Sequence, residues 1–169
     1  MLKKHRKVSP KKVNCAVLTV SDTRNEETDK SGRKMKDLLA ESDHQILHYH
    51  IIPDEKDLIS REIESLLEDN QIEAILVNGG TGIAKRDVTI ESVSTFFAKE
   101  LPGFGELFRY LSYEQDIGSA SILSRAVAGV ANDKVIFCTP GSTGAVGLAM
   151  EKIIMPEIGH IVMELQKDL

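Results

Sequence analysis

The alternation of apolar and polar positions divides this chain into short buried strands and one-sided helices. Val13 to Val20 (V-N-C-A-V-L-T-V) predicts a buried first strand, ended by the turn-forming residues Ser21-Asp22-Thr23-Arg24. After a polar loop, Met35, Leu38 and Leu39 share one face of a helix with Gly32 in its first turn, and Asp29 or Ser31 is placed to cap it. Ile46 to Ile52 predicts a second strand closed by Pro53-Asp54-Glu55, and Leu58, Ile59, Ile63, Leu66 and Leu67 then recur at helical spacing. Ala74 to Val77 is a short apolar run that Gly79 and Gly80 stop abruptly, as a buried strand entering a tight loop does. Thr89 is positioned as the N-cap of a helix running through Val93 and Phe97.

Further along, Leu101 to Glu106 is a turn-rich break and Leu107 to Tyr113 resumes a helical pattern, while Ile117 to Arg125 shows no clear period. Ala126 to Val130 and Lys134 to Cys138 predict a strand pair about a hairpin-like turn at Ala131-Asn132-Asp133. A second glycine loop, Thr139 to Gly144, follows, and Leu148 to Leu165 is helical with a break expected at Pro156. Strands alternating with helices imply right-handed crossovers and an α/β fold whose mainly parallel sheet is covered on both faces. Ligands of such sheets bind at the carboxyl ends of the strands. The loops beginning at Ser21, Pro53 and Gly79 then gather there, bringing Asp22, Asp54 and Asp87 near the glycines.

Composition narrows the class. A length of 169 residues suits one domain, expected from residue 13 to 169, and 41% hydrophobic with 28% charged residues excludes a disordered chain. No apolar run approaches the roughly 18 residues of a spanning helix, so no membrane segment is expected. Residues 1 to 12 carry six Lys or Arg and no acid, followed by no apolar segment, so they read as a basic, peripheral extension and not as a signal peptide. The expected compartment is the cytoplasm. With a formal net charge of −5 and that basic start set aside, the body is strongly acidic, which argues against a nucleic-acid surface. Cys15 and Cys138 lie in apolar runs and read as buried thiols, and His44, His48 and His50 read as exposed polar positions.

The loop Gly79-Gly80-Thr81-Gly82 matches neither G-x-G-x-x-G nor the P-loop pattern. Two readings are open: a plain tight turn, or a cradle whose main-chain N–H groups approach a phosphate at positive φ, with Thr81, Lys85 and Arg86 as further donors and Asp87 as a carboxylate. Leu101, Phe104, Leu107, Phe108, Leu111 and Tyr113 likewise fill a core or form an interface between copies.

With both glycine loops placed, the chain resembles the MoaB/MogA family of molybdenum cofactor biosynthesis proteins from Val13 onward. The matching pieces are Ser21-Asp22-Thr23-Arg24, Asp29 to Gly32, Pro53-Asp54-Glu55, Gly79 to Gly82, Arg86-Asp87-Val88-Thr89, Leu101 to Glu106, Ile122-Leu123-Ser124-Arg125 and Pro140-Gly141-Ser142. The resemblance implies a three-layer α/β/α domain that assembles as a trimer or a dimer of trimers, binds molybdopterin, and in active members transfers adenylyl from ATP to the pterin's terminal phosphate. It gives Gly79, Gly80, Thr81 and Gly82 the phosphate cradle, lines the same pocket with Pro140, Gly141 and Ser142, and adds Ser21, Asp22 and Arg86 to the substrate site. Asp54 and Asp87 fall on acidic positions expected to hold Mg²⁺ or orient the triphosphate. Lys85, Arg86 and Arg125 would balance remaining phosphate charge. Pro-Gly-Ser-Thr-Gly in the second loop marks the MoaB branch, which also holds members that bind without catalysing.

Overall fold

The computed structural model describes residues 12 to 169. Except for Lys12, the basic extension expected over residues 1 to 12 lies outside the described residues. Among the described residues, six strands form one sheet in the order β2-β1-β3-β6-β5-β4: β1 is Asn14–Val20, β2 Gln45–Ile52, β3 Ala74–Asn78, β4 Lys99–Glu100, β5 Val127–Ala131 and β6 Lys134–Thr139. β2, β1, β3 and β6 run parallel, and β5 and β4 add antiparallel pairings at one edge. The fold is the expected α/β type with a mainly parallel centre. The chain leaves β1 for β2 on one side and returns to β3 on the other, so the strand order reverses between β1 and β3. That reversal is where such sheets leave a crevice for ligands.

Period-two alternation along the strands splits the core into two layers. Cys15, Val17, Leu76, Val135 and Phe137 face one side, where α1 (Lys30–Glu41) contributes Met35 and Leu39. Ala16, Leu18, Ile75, Val77, Ile136 and Cys138 face the other, against Ile59 and Ile63 of α2 (Lys56–Glu68) and Ile90 and Val93 of α3 (Thr89–Val93). Leu58 belongs to the predicted apolar set but stands 37% exposed, because α2 turns only Ile59, Ile63, Leu66 and Leu67 inward. Both cysteines are free and buried, and burial, followed by the nearby Glu73 carboxylate, pushes the Cys15 thiol up to about 12. His48 and His50 pair with Asp69 and Glu62 at the edge of the sheet.

Several boundaries differ from the sequence reading. The Leu101 to Glu106 stretch is not a break. α4 (Pro102–Ser112) begins at Pro102, whose fixed φ and missing N–H suit a first helical turn. Phe104 and Phe108 enter the core, while Leu107, Tyr110 and Tyr113 stay exposed, so the apolar segment both fills the interior and leaves a surface strip. A π-helical turn, Tyr113–Ile117, and a 3₁₀ turn, Gly118–Leu123, cover the stretch that had no clear period. The β5–β6 turn places Asn132 and Asp133 at φ +47° and +58°, the primed geometry that matches strand twist.

The last helical region starts earlier than expected, with α5 (Thr143–Ala149), and Pro156 does not divide it. Proline lacks the N–H for residue 152 and its ring crowds that carbonyl, and the helix widens into a π turn at Met150–Ile154 before continuing as α6 (Met155–Gln166). No helix among the described residues is long and apolar enough to cross a membrane.

Candidate functional site

β3 ends at Asn78, and the next two residues take the left-handed backbone that only glycine adopts freely: Gly79 at φ +92° and Gly80 at φ +63°. A Cβ on Gly80 would stand 2.3 Å from both Asp54 Oδ1 and Thr89 Oγ1. The loop is therefore shaped by its neighbours and is more than a reversal of the chain. Gly82 does not adopt positive φ. It is needed for close approach, since a Cβ there would lie 2.6 Å from Asp87 Oδ2. Thr89 does not cap α3, whose cap position is Val88 with no side-chain bond. Its hydroxyl turns toward the loop, while its main-chain N–H donates to the Gly80 carbonyl at 3.0 Å.

A cavity of about 450 Å³ opens over this loop at the carboxyl ends of β1, β3 and β6. Ser21, Asp54, Gly79, Gly80, Thr81, Gly82, Asp87, Pro140 and Gly141 line it, so most of the site residues read from the sequence meet there. Its remaining wall includes Ile117, Ala120 and Leu123, an apolar surface suited to a flat ring. Four of the expected residues, Asp22, Arg86, Ser142 and Arg125, are engaged elsewhere. Asp22 holds Arg86 in a two-pronged pair, with Nε and Nη2 each 2.8 Å from a carboxylate oxygen, and accepts the Asp54 main-chain N–H at 3.1 Å. Ser142 caps α5, accepting from the Ala145 N–H at 3.2 Å. Arg125 pairs with Glu91 and donates to the Gly82 carbonyl at 3.2 Å, which braces the loop from behind.

Three buried oxygens among the described residues, Asp54 Oδ1, Thr89 Oγ1 and Asn78 Oδ1, find no hydrogen-bond partner, and the first two converge on Gly80. Such a group costs roughly 1–3 kcal/mol, and two beside one glycine mark a place prepared for something else. Burial, first, and then the carboxylates of Asp22 and Asp87 hold the Asp54 carboxyl above the usual carboxylate range, with Arg86 acting against them. A cation between Asp54 and Asp87 would relieve that repulsion. Both are hard oxygen donors, so the residues fit Mg²⁺.

Arg24 was missed as a site residue. It is the one cationic side chain among the described residues lining the cavity. Its Nη2 donates to the Gly141 carbonyl at 2.7 Å, where Ser31 Oγ also donates at 2.6 Å. Its Nη1 lies 3.6 Å from Asp29 Oδ1. Asp29 is fully buried, caps α1 through the Gly32 N–H at 3.0 Å, and accepts from Thr19 Oγ1 at 2.6 Å and Tyr49 Oη at 2.7 Å. Burial works against that charge most strongly, yet the bonds from Thr19, Gly32 and Tyr49 and the charge of Arg24 together hold the Asp29 carboxyl below its usual range. The signal was present in the sequence. Arg24 follows β1 at the strand end where the other cavity-lining residues gather.

A somewhat larger hollow, about 520 Å³, lies at the amino ends of the strands among Asn14, Glu73, Lys134 and Gln166. The glycine loops and the unpartnered oxygens are all at the opposite end, so the smaller cavity is the candidate site.

The sequence and the architecture have counterparts. Residues 16–160 match the family model described as "Probable molybdopterin binding domain". Molybdenum cofactor biosynthesis protein B of Bacillus subtilis (strain 168) is 55% identical over 167 residues, which cover 99% of this chain and 98% of that protein. A crystal structure of a molybdenum cofactor biosynthesis protein B superposes with a TM-score of 0.91 at 52% identity, covering 94% of this chain and 99% of the other. The tungsten cofactor synthesizing protein MoaB of Pyrococcus furiosus superposes at 0.85 with 37% identity over the same shares, 94% and 99%. With one relative at 55% identity along nearly its whole length and the family model spanning residues 16–160, the chain belongs to the MoaB/MogA family of molybdenum cofactor biosynthesis proteins.

Proposed function

We propose that this chain binds molybdopterin and transfers adenylyl from ATP to the pterin's terminal phosphate, releasing pyrophosphate, with Mg²⁺ as cofactor. One observation carries the reading: Asp54 Oδ1 and Thr89 Oγ1 converge, buried and unpartnered, on a glycine whose Cβ they would not tolerate. Asp54 and Asp87 would hold Mg²⁺ together with waters and phosphate oxygens, because no group of three or more ligand-type side chains among the described residues could hold a metal by itself. When bound, the ion would offset the charge of the triphosphate.

The residues of the chain supply position and electrostatics. The main chain of Gly79 to Gly82 approaches the phosphate without side-chain obstruction, and Ile117 and Leu123 exclude water from a ring laid against them. An oxygen of the terminal phosphate forms a bond to the α-phosphorus of ATP as the bond from that phosphorus to its bridging oxygen breaks. Pyrophosphate leaves with the electron pair, and no covalent intermediate with the protein is needed. We further propose cytoplasmic assembly as a trimer or dimer of trimers, supported by the exposed apolar strip of Leu107 (45% exposed), Tyr110 (60%) and Ile122 (82%).

The test is pyrophosphate release by purified protein given molybdopterin, ATP and Mg²⁺. Release that requires all three is expected. Tight molybdopterin binding with no release would replace the enzyme by a binding protein of the MoaB branch, and no binding at all would end both readings.

A further inference from the structure

The cavity is divided by charge. Asp54 and Asp87 stand against Gly80 and Gly82, and Arg24 stands at the other end by Gly141, where a Cβ on Gly141 would come 3.7 Å from Arg24 Nη1 and 3.0 Å from Gly79 Cα. Two phosphate groups must meet in this space, and they repel each other unless each has its own cation. The carboxylate side can accept a polyphosphate only with a metal. The opposite side needs a cation of its own.

Few side chains can supply it. Arg86 is spent on Asp22, and Arg125 on Glu91 and the Gly82 carbonyl. Lys85 is exposed and does not line the cavity. Arg24 remains, and its surroundings read as preparation: a fully buried carboxylate, held ionised by Thr19, Tyr49 and Gly32, stands behind it, and the Gly141 carbonyl fixes the fork from the side. These contacts point part of the guanidinium inward, yet the side chain keeps 29% exposure at a position lining the cavity. Five N–H donors in a rigid fork leave some for a ligand after the inward contacts are made.

We infer that Arg24 binds the terminal phosphate of the acceptor, and that Asp29 is the positioning residue that aims it. This rests on the proposed adenylyl transfer to molybdopterin and assigns the end at which the acceptor phosphate sits. In the transfer, the acceptor oxygen attacks the α-phosphorus while Arg24 offsets the acceptor's own charge. The carboxylate end then serves the donor.

The experiment compares two ligands on the same protein. Molybdopterin, and separately a non-hydrolysable ATP analogue with Mg²⁺, are titrated calorimetrically into the wild type, Arg24→Gln, Arg24→Lys and Asp29→Asn. Arg24→Gln is expected to weaken molybdopterin about 10- to 100-fold, the usual effect of losing a charge-assisted hydrogen bond, while the analogue stays within about threefold. Arg24→Lys should fall between, because a point charge cannot hold the Gly141 carbonyl and a phosphate together. Asp29→Asn should show the same selectivity at smaller size. A brace for the loop alone would move both ligands equally, so equal losses, or no loss in either Arg24 variant, overturn the inference. Wild-type protein that fails to bind molybdopterin overturns the functional reading and this inference with it, whereas intact wild-type binding with unchanged variants overturns the inference alone.

Discussion

Gly80 and Thr89 meet at two points: the Thr89 N–H donates to the Gly80 carbonyl at 3.0 Å, and Thr89 Oγ1 fills the space 2.3 Å from where a Gly80 Cβ would be. Even a methyl group at Gly80 must therefore displace both Thr89 and Asp54, in a backbone region at φ +63° that resists side chains. Gly80→Ala is expected to cost about 1–3 kcal/mol of stability, from the left-handed backbone and the crowding together. It should also weaken molybdopterin binding. Urea midpoints combined with a titration of folded variant check both, and unchanged affinity would reduce the loop to a turn.

How much of this was legible depends on the range of the interaction. The strands and the two glycine loops are written in local alternation and punctuation, so Val13 to Val20, Ala74 to Val77 and the Asn132-Asp133 turn could be read directly. The strand-end rule then brought Asp54 and Asp87 to the glycines. What stayed hidden were partnerships across the chain. Nothing local says that Asp22 captures Arg86 across 64 positions of sequence, or that Arg24 reaches Gly141 across 117. Pro102 reads as a breaker by type, yet at the first turn of α4 the same chemistry starts a helix. Thr89 has the composition of a cap, and tertiary placement beside Gly80 gave its hydroxyl another direction.

Acid should expose the role of Asp29. Its folded-state carboxyl lies below the usual value of 3.8, so ionised Asp29 contributes stability that is present above that value and is lost as pH falls through the lower folded one. Asp29→Asn keeps a side-chain acceptor for capping but offers poorer terms to Thr19, Tyr49 and Arg24. The variant should be less stable than wild type at neutral pH, with the gap closing below about pH 4. Denaturant midpoints from pH 7 down to 3 measure the gap, and one that does not change with pH would mean that the charge is idle.

The apolar strip offers a separate check on assembly. Leu107 and Tyr110 lie on the outer face of α4, 45% and 60% exposed, and interfaces are depleted of charge at their centres. Tyr110→Glu should leave the fold intact and shift the mass seen by light scattering, at micromolar protein, from that of a trimer or hexamer toward a monomer. A wild-type protein that is already monomeric would remove the proposed assembly.

The most direct test of the chemistry is Asp87. Its Oδ2 accepts the Ala84 N–H at 2.9 Å, a bond that the amide oxygen of Asn reproduces, so Asp87→Asn keeps the turn and loses only the charge. If that charge serves the donor's triphosphate through Mg²⁺, adenylyl transfer should fall by roughly 10²-fold or more, the usual effect of removing one preorganised electrostatic group. Molybdopterin affinity should stay within a few-fold or rise, because the acceptor phosphate belongs at the Arg24 end and one anion has been withdrawn from the cavity. The competing role is bracing the turn before α3. Under that role Asn would turn over normally with unaltered Mg²⁺ dependence, and initial rates across a Mg²⁺ series separate the two. Normal turnover would leave Asp87 as a brace, while Asp54, buried and unpartnered at one oxygen, would have to carry the metal alone.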